Sequence, residues 1–555
     1  MEATPARVIQ YFHGEKQSLI PLFQRPYSWR KSNWETLWND IIVQYDSDDA
    51  QSHFMGAIVS VPAKSVPVGV SKHLIIDGQQ RLTTVAIILC ALRDIVEKNT
   101  SDRIHEVYLV NKFRDPEDTL KFVPTQLDRE TFNLLVLQRQ PPENDSLMSQ
   151  AYGYFKNQLL SGVDGNGDPI DPQKILTTME HSLQVVMINI GESDDPYLIF
   201  ESLNFKGQPL TQADLVRNYL LMRFKHAITA GGEQERIHKY FWMPIQESLG
   251  DKITEFLRHY AMKDGDNINQ GGIYVAIKQK FKDIEGPELV EAKISEMRLF
   301  AAYYASMLNP SLEANVTIRQ SLQKIGELEI TTSYPLMLQL ISAQKSGHLS
   351  VEDLCDCISI IESFVVRRSV CGVPTNALNK LFLGWCKAFP RVEHKQWLYG
   401  VMSSGNGGRR YPGDEEFGEA FKNQPQYGRG STRFILVRLE RHYGHKEPAD
   451  LTGATIEHIL PQTLTPAWEE MLGPDALLQH DKLKDRFGNL SLTAYNSELG
   501  NLSFEDKKER LKDTHIGLNK WIVSRAFWTE QEITLRGENL FKSAMTLWQG
   551  PAGSA

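Results

Sequence analysis

The chain has 555 residues, 41% of them hydrophobic and 23% charged, and its formal net charge is −9. This length exceeds what a single hydrophobic core supports, so roughly two to four domains are expected. The composition is that of a soluble protein and excludes a membrane protein, because no apolar run approaches the roughly 20 residues of a transmembrane helix. The negative charge excludes a chain coated in basic residues, although it permits a local nucleic-acid site.

Cysteine usage and the first residues indicate a cytoplasmic protein. The five cysteines form no CxxC pair, and they predict neither a zinc ribbon nor a disulfide scaffold. The opening MEATPARVIQ lacks the charged and apolar regions of a signal peptide.

Residues 1–225 predict a mixed α/β domain. Strands are predicted for HFMGAIVSV, KHLIID and SLQVVMINI. A helix in SNWETLWNDIIVQY is expected to begin with a capping box of Ser32 and Glu35, and a second helix begins at Leu82. LTQADLVRNYLLMRF predicts a third helix, with Thr211 and Asp214 at capping-box spacing.

The remaining chain changes its pattern twice. Residues 226–400 have mostly helical periodicity and predict a helical middle domain, and the Gly-rich stretch 401–430 predicts a linker or mobile loop. Residues 431–550 predict a last domain. Its expected elements are a helix in RFILVRLERHYG, a strand and turn in ATIEHILPQ, a strand in GNLSLT and a helix in SFEDKKERLK opened by Ser503.

Five polar residues, Asp77-Gly78-Gln79-Gln80-Arg81, separate a predicted strand from a predicted helix. Free amide groups and the helix dipole at such a turn suit an anion, often a phosphate. Gly78 permits close backbone approach, Gln79 and Gln80 add amide groups, and Arg81 can fork onto phosphate oxygens. Asp77 could hold Mg²⁺ or a ribose hydroxyl. The alternative is a capped helix start with an internal Asp–Arg pair, and spacing alone favours neither. The chain has no GxxxxGK[ST] motif, so a nucleotide site here is not a P-loop.

Two flanking stretches could form further walls of a pocket. FQRPYSWR contains Gln24 and Arg25 among aromatic residues, which can bind phosphates and stack bases but more commonly form core. FESLNFKGQPLTQADL places Glu201 and Asn204 in a turn before a helix, where the alternative is an ordinary helix cap.

A second candidate site lies near the C-terminus. Glu457 and His458 stand near a predicted strand end, and Asn489, Asn496 and Asn501 follow. A metal nuclease needs a carboxylate and an amide or imidazole to hold a cation, and a neutral His to remove a proton from water. Adjacent strand residues face opposite ways, so this pair shares a site only if the backbone bends, and Pro461 makes a break plausible. The alternative is a surface pair.

Together these motifs resemble one family. FQRPYSWR, HFMGAIV and IIDGQQRLTT resemble the ParB/sulfiredoxin-like N-terminal domain of GmrSD-type, modification-dependent (type IV) restriction proteins, and IFESLNFKGQPLTQADLVRNYLL matches its other hallmark. VVRRSVCGVPTNALNKLF is similar to its helical continuation. IEHILPQ and FGNLSLTAYNSELGNLSFEDKK resemble its HNH-type nuclease domain. The resemblance covers nearly the whole chain in the family's order.

The resemblance implies a multidomain α+β protein with a ParB-like α/β N-terminal domain, a helical middle region and a C-terminal ββα-metal (HNH) nuclease domain. It implies nucleoside triphosphate binding and hydrolysis through residues 77–81. His458 would be the general base, Glu457 a metal ligand for Mg²⁺ or Mn²⁺, and Asn489 the central Asn that holds the metal loop. Asn496 is the best match for the third letter of the motif and Asn501 the next.

The implied function is a nucleotide-regulated, metal-dependent endonuclease that cleaves modified phage DNA. The alternatives are a nucleotide-switched DNA-binding regulator with an inactive nuclease domain, and a DNase-like nicking effector without modification dependence. A homodimer is expected, since single-site nucleases often cut both strands as two copies. Candidate contacts to double-stranded DNA are the arginines Arg367, Arg368, Arg409, Arg410 and Arg429.

Overall fold

The computed structural model describes residues 2–21, 24–47, 52–62, 69–139, 145–189, 211–224 and 232–551. The chain divides into two compact units: a first unit of residues 1–244 with 281–294, and a second unit of residues 245–280 with 295–555. The predicted division at residues 225, 400 and 430 is finer than this and stays a prediction.

A mixed six-stranded sheet organises the first unit. Its strands are β1 (Glu2–Arg7), β2 (Lys16–Leu19), β3 (His53–Pro62), β4 (Ser71–Asp77), β5 (Phe122–Val123) and β6 (Leu183–Asn189). The order across the sheet is β1-β6-β3-β4-β2-β5. β1 with β6 and β3 with β4 are antiparallel, whereas the other three pairs are parallel. The expected mixed α/β character is confirmed.

Eight helices follow in order through the described part of the N-terminal sequence. They are α1 (Lys31–Tyr45), α2 (Gln79–Arg93), α3 (Lys98–Ile104), α4 (Gln126–Leu137), α5 (Leu147–Ser161), α6 (Pro172–His181), α7 (Gln212–Met222) and α8 (Glu233–Ile237). Every residue of α2 except Arg81 is buried. Helix α2 is therefore the central helix of this core, and its first turn has little freedom to move.

Two helix starts differ from the expectation, and one agrees with it. Helix α2 begins at Gln79 rather than at Leu82, so the polar residues form its first turn. Helix α1 begins at Lys31, so the predicted Ser32 cap is wrong; the backbone N–H of Arg30 instead donates to Asn33 Oδ1 at 3.1 Å. The capping box of Thr211 on α7 is confirmed.

The described part of residues 226–400 is helical, as predicted. After α8 come α9 (Met243–Leu249), α10 (Ile253–Met262), α11 (Ile273–Lys280), α12 (Pro287–Leu308), α13 (Val316–Gly326), α14 (Tyr334–Lys345), α15 (Val351–Val370), α16 (Leu378–Lys387) and α17 (His394–Ser403). Among the described residues, no helix has the length and apolar character needed to cross a membrane.

The stretch 401–430 differs from the expected linker or loop, because it contains helix α18 (Asp414–Asn423). Phe417 and Phe421 of this helix are buried in a hydrophobic core cluster that also contains Leu490 and Leu492. The glycines at 405, 407 and 408 suggested a loop, but the helix follows them and its apolar face is packed.

The C-terminal part is built around a short antiparallel hairpin of β7 (Thr455–His458) and β8 (Leu490–Thr493). Its helices are α19 (Thr432–His442), α20 (Pro466–Leu472), α21 (Ala476–Leu483), α22 (Asn496–Leu499), α23 (Phe504–Leu511), α24 (Gly517–Val523) and α25 (Glu530–Leu547). Both predicted strands, the helix in 433–444 and the Ser503 cap of α23 are confirmed.

The residues that flank Glu457 and His458 in sequence belong to two different hydrophobic clusters. Ala454 belongs to one cluster, and Ile459 and Leu460 belong to the other. Glu457 and His458 lie between them in sequence, so both polar side chains are drawn into a buried environment.

Candidate functional site

The polar turn at the end of β4 depends on Gly78. Gly78 has φ +93°, in the left-handed region that favours glycine. A Cβ atom there would approach Ile58 Cγ1 to 2.9 Å, which is closer than real Cβ contacts. The turn therefore needs glycine for two independent reasons, backbone conformation and space.

Buried glutamines tie this turn to the preceding segment. Gln80 accepts a hydrogen bond from the Ser28 N–H at 2.9 Å and donates to the Pro26 carbonyl at 3.1 Å. Gln24 donates to the Ile76 carbonyl at 2.8 Å. Gln79 is also buried. Gln80 and Gln24 thus both join residues 24–28 to this turn, and their amide groups bond to the protein's own backbone.

Asp77 and Arg81 remain partly exposed beside these glutamines. Arg81 Nη2 lies 3.6 Å from Asp77 Oδ2, and its Nη1 donates to the Met55 carbonyl at 2.7 Å. Gly56, with φ +102°, makes room for this guanidinium, since a Cβ there would lie 2.4 Å from Nη1. Burial lowers the pKa of Arg81, and Asp77 opposes that shift. The internal pair of the alternative interpretation is present, and phosphate binding stays a prediction.

The described aromatic residues of FQRPYSWR, Tyr27 and Trp29, lie in the hydrophobic core or pack against it. Tyr27 is buried, its hydroxyl lies 2.8 Å from Thr84 Oγ1, and it accepts a hydrogen bond from Trp34 Nε1 at 2.9 Å. Arg25 is partly exposed. The two remaining candidates, Glu201 and Asn204, lie outside the described residues.

The C-terminal candidates are buried at the end of the hairpin. Glu457 is 3% exposed and His458 is 7% exposed. They engage different partners, as adjacent strand residues must. Strand β7 ends at His458, and the chain bends at residues 459–460.

Glu457 forms a buried ion pair. Lys507 on α23, which is itself fully buried, donates to Glu457 Oε1 at 2.6 Å and to the His458 carbonyl at 2.7 Å. Burial raises the pKa of Glu457, and the ammonium group opposes that shift. Lys507 therefore places a positive charge against two oxygens of the hairpin.

His458 contacts a carboxylate and an aromatic ring. Its Nε2 lies 3.0 Å from Asp485 Oδ1, and the Tyr427 ring lies edge-on with 4.4 Å between ring centres. Burial lowers the pKa of His458 below its usual value, and Asp485 opposes that shift. The imidazole is therefore neutral near pH 7, the state that a general base requires.

Asn489 is a completely buried hydrogen-bond centre. Its Oδ1 accepts from the Leu460 N–H at 2.7 Å and from Trp528 Nε1 at 2.9 Å. Its Nδ2 donates to the carbonyls of Leu460 and Lys484, both at 2.8 Å. Two of the four bonds hold Leu460 just after β7, so Asn489 supports the bend that carries the site.

Of the two predicted third-letter residues, Asn496 lies against the hairpin. Its Nδ2 donates to the Ile456 carbonyl at 2.9 Å and to Thr455 Oγ1 at 3.0 Å, whereas Asn501 is exposed. The carboxylate of Glu457 and the amide oxygen of Asn496 are hard donors that suit Mg²⁺ or Mn²⁺. Among the described residues, no group of three His, Cys, Asp or Glu side chains is arranged to hold a metal.

The structure corrects two of the DNA-binding candidates. Arg367 is fully buried, donates to the carbonyls of Trp548 and Pro412, and pairs with Asp414. Arg368 is 2% exposed and donates to three carbonyls, those of Arg410, Pro374 and Gly408. Both guanidinium groups hold the fold together and cannot reach DNA in this structure.

The other arginine candidates lie nearer the surface. Arg409 is exposed. Arg410 donates to Glu416 Oε1 at 3.0 Å, and Arg429 donates to the carbonyls of Pro425 and Ser369. Arg409 is thus the candidate best placed to meet a DNA backbone.

The sequence did not indicate three residues of this site. Lys507, Asp485 and Tyr427 lie 50, 27 and 31 residues from the side chains they contact. No spacing rule joins such residues. The single available signal for Lys507 was its position three residues after Phe504 on a helix whose apolar face had to be buried.

Two protein-family models match the chain. Residues 8–221 match the GmrSD restriction endonuclease N-terminal domain, and residues 411–543 match the GmrSD restriction endonuclease C-terminal domain. The class of protein that they define is a restriction endonuclease. No curated protein is similar enough to the chain to count as a match. Since the two models together span more than half of the sequence, the chain belongs to the GmrSD restriction endonuclease family, and the predicted resemblance is confirmed.

Proposed function

We propose that this chain is a nucleotide-regulated, divalent-metal-dependent endonuclease that cleaves modified foreign DNA, with His458 as its general base. The observation that carries this proposal is the state of His458. It is buried, burial lowers its pKa, its Nε2 lies 3.0 Å from the Asp485 carboxylate, and it lies within the part of the chain that matches the nuclease family's C-terminal domain.

In this proposal the chain's own residues have distinct tasks. His458 removes a proton from the attacking water, and Asn489 holds the bend after β7 that fixes the imidazole's place. Glu457 and Asn496 would hold Mg²⁺ or Mn²⁺, with Asn501 as the second choice to Asn496. The cation, when bound, stabilises the negative charge that develops on the phosphate.

The nuclease part is tested with a panel of differently modified phage genomes and unmodified DNA, incubated with Mg²⁺ or Mn²⁺. We expect cleavage of modified DNA by the wild type, none with EDTA, and none by His458→Ala. His515→Ala, which removes an exposed histidine outside the site, is the matched control and should cut normally. Undiminished cutting by His458→Ala would remove this residue from the mechanism.

For the N-terminal domain, the proposal is nucleoside triphosphate binding and hydrolysis at residues 77–81. Two features support it: the left-handed Gly78 at the N-terminus of α2, and the partly exposed Asp77–Arg81 pair beside it. Arg81→Ala and Asp77→Ala should abolish triphosphate hydrolysis, whereas Glu106→Gln, an exposed acidic position, should not. Normal turnover in both variants would assign the turn a purely structural role.

DNA binding is proposed to be local, because the chain as a whole is acidic. Arg409 is the exposed candidate, and Arg410 and Arg429 are the others. Binding through phosphates should weaken steeply with salt. Cleavage of both strands is expected to need two copies of the chain, which sedimentation with and without DNA would detect.

One observation favours a different function. Lys507 donates to Glu457 Oε1, one of the two carboxylate oxygens that a metal ligand would offer. If Lys507 never leaves this carboxylate, the chain would be a nucleotide-switched DNA-binding regulator with an inactive nuclease domain. Binding of DNA and nucleotide without nicking of any modified genome would support that function. Equal cleavage of modified and unmodified DNA would instead indicate a DNase-like effector.

A further inference from the structure

Asp485 lies between α21 and β8, and its backbone is anchored independently of its side chain. The Asp485 carbonyl accepts hydrogen bonds from the Gln426 N–H at 2.7 Å and from the Tyr427 N–H at 3.3 Å. Gln426 is buried and donates from its own side chain to the carbonyls of Val370 and Ala420. A change of the Asp485 side chain therefore leaves the backbone of this segment held in place.

The carboxylate of Asp485 sets the chemistry of the His458 ring. A carboxylate can only accept a hydrogen bond, so in the 3.0 Å contact the Nε2 atom of His458 must be the donor. A neutral imidazole that carries its proton on Nε2 has its lone pair on Nδ1. Among the described residues, Nδ1 has no hydrogen-bond partner.

Tyr427 restricts the same ring from another side. Its ring centre lies 4.4 Å from that of His458 with the planes 70° apart. The imidazole side chain is 8% exposed, whereas the Asp485 side chain is 27% exposed. The Asp485 carboxylate and the Tyr427 ring thus both contact the imidazole, and Nδ1 is the ring nitrogen that Asp485 does not bond.

We propose that Asp485 is a positioning residue that holds His458 in the Nε2–H tautomer and so presents Nδ1 as the proton acceptor. Asp485 acts through His458 and does not touch the substrate. This inference deepens the proposed function and rests on it only for its effect on cleavage; the tautomer itself is a property of the folded chain.

Three substitutions at Asp485 separate positioning from structure. In Asp485→Glu an acceptor-only carboxylate remains, in Asp485→Ala the acceptor is lost, and in Asp485→Asn the shape is kept but the amide can donate to Nε2 and favour the wrong tautomer. We expect kcat for DNA cleavage to fall about 10- to 100-fold in the Ala and Asn variants, with KM for DNA unchanged. The Glu variant should retain more activity than the Asn variant.

A merely structural role predicts the reverse order. Asn is the closest match in volume and would then be tolerated best, while the longer Glu would be tolerated worst. Asp481→Ala is the matched control, because Asp481 is 77% exposed and its carboxylate lies near only its sequence neighbours His480 and Lys484. It should leave kcat unchanged. Retention of full kcat by Asp485→Asn would overturn the proposal.

A spectroscopic measurement tests the tautomer without cleavage. In the full chain labelled with ¹⁵N-histidine, the His458 signals are identified by their loss in His458→Ala. We expect a protonated Nε2 and an unprotonated Nδ1 in the wild type, and a shift of the proton toward Nδ1 in Asp485→Asn. An unchanged tautomer in that variant overturns the proposal. If the tautomer shifts but His458→Ala cuts normally, the proposed function fails while the positioning of the ring stands.

Discussion

Two polar clusters end strands in this molecule, and they are built in opposite ways. At the end of β4, the buried Gln80 and Gln24 bond to backbone, while Asp77 and Arg81 remain 35% and 21% exposed. At the end of β7, the charged pair of Glu457 and Lys507 is 3% and 0% exposed. The charged side chains at the end of β4 are partly exposed to solvent, whereas those at the end of β7 are buried.

The difference has an energetic consequence. An exposed pair contributes about 0–1 kcal/mol to stability, whereas loss of one partner from a buried pair costs about 3–5 kcal/mol because a charge is left unpaired. The Glu457–Lys507 pair should therefore stabilise the fold strongly, whereas the Asp77–Arg81 pair should be replaceable with little cost to stability.

The largest expected effect is in Lys507→Met. This change leaves the Glu457 carboxylate buried without a partner, and we expect the free energy of unfolding to fall by about 3–5 kcal/mol. Denaturant unfolding measures it, with Lys512→Met as the control, since Lys512 is exposed and its loss should leave the free energy of unfolding nearly unchanged. Equal free energies of unfolding in Lys507→Met and Lys512→Met would contradict the expected difference between the buried and the exposed ion pair. The double variant with Glu457→Gln should recover part of the loss.

An intermediate effect is expected from Gly78→Ala. The left-handed backbone and the 2.9 Å approach to Ile58 should together cost about 1–3 kcal/mol. Gly153→Ala is the control. Gly153 lies within helix α5, and its Cβ would meet nothing within 4 Å, so alanine there should stabilise by about 0.5–1 kcal/mol. Thermal unfolding of the two variants should shift in opposite directions, and parallel shifts would show that Gly78 is not required by the turn.

The smallest effect on stability is expected from Asp77→Asn. Because the pair with Arg81 is long and partly exposed, the loss should be at most about 1 kcal/mol. Nucleotide hydrolysis should nevertheless be lost if Asp77 serves the proposed site. If Asp77→Asn lowered the free energy of unfolding as much as Lys507→Met does, both charged pairs would be structural and the expected difference between them would be absent.

The sequence predicted those parts of the molecule that local chemistry determines. The Thr211 and Ser503 caps, the sheet strands β3, β4 and β6 and the separate strands β7 and β8 follow from patterns a few residues long. Contacts between residues that are far apart in sequence do not follow from such patterns. Asp485 and Lys507 are ordinary charged residues in the sequence, and only the packing of α21 and α23 brings them to His458 and Glu457.

For Arg367 and Arg368, the sequence suggested an exposed role that the fold does not allow. Two adjacent arginines suggest a surface that binds nucleic acid, but helix α15 turns both into the interior, where carbonyl groups, Asp414 and the rings of Phe417 and Phe364 surround them. The type of a charged residue indicates which ligands its side chain could bind, and the fold determines whether that side chain is exposed to them.

We propose that DNA is cut at His458 while nucleotide is hydrolysed at residues 77–81. The most direct measurement follows both reactions in one tube, using His458→Ala with modified phage DNA, a divalent metal and nucleoside triphosphate. We predict that this variant hydrolyses nucleotide at the wild-type rate and leaves the DNA intact. Cleavage of the DNA by His458→Ala, or loss of both reactions in a variant that is still folded, would contradict the account.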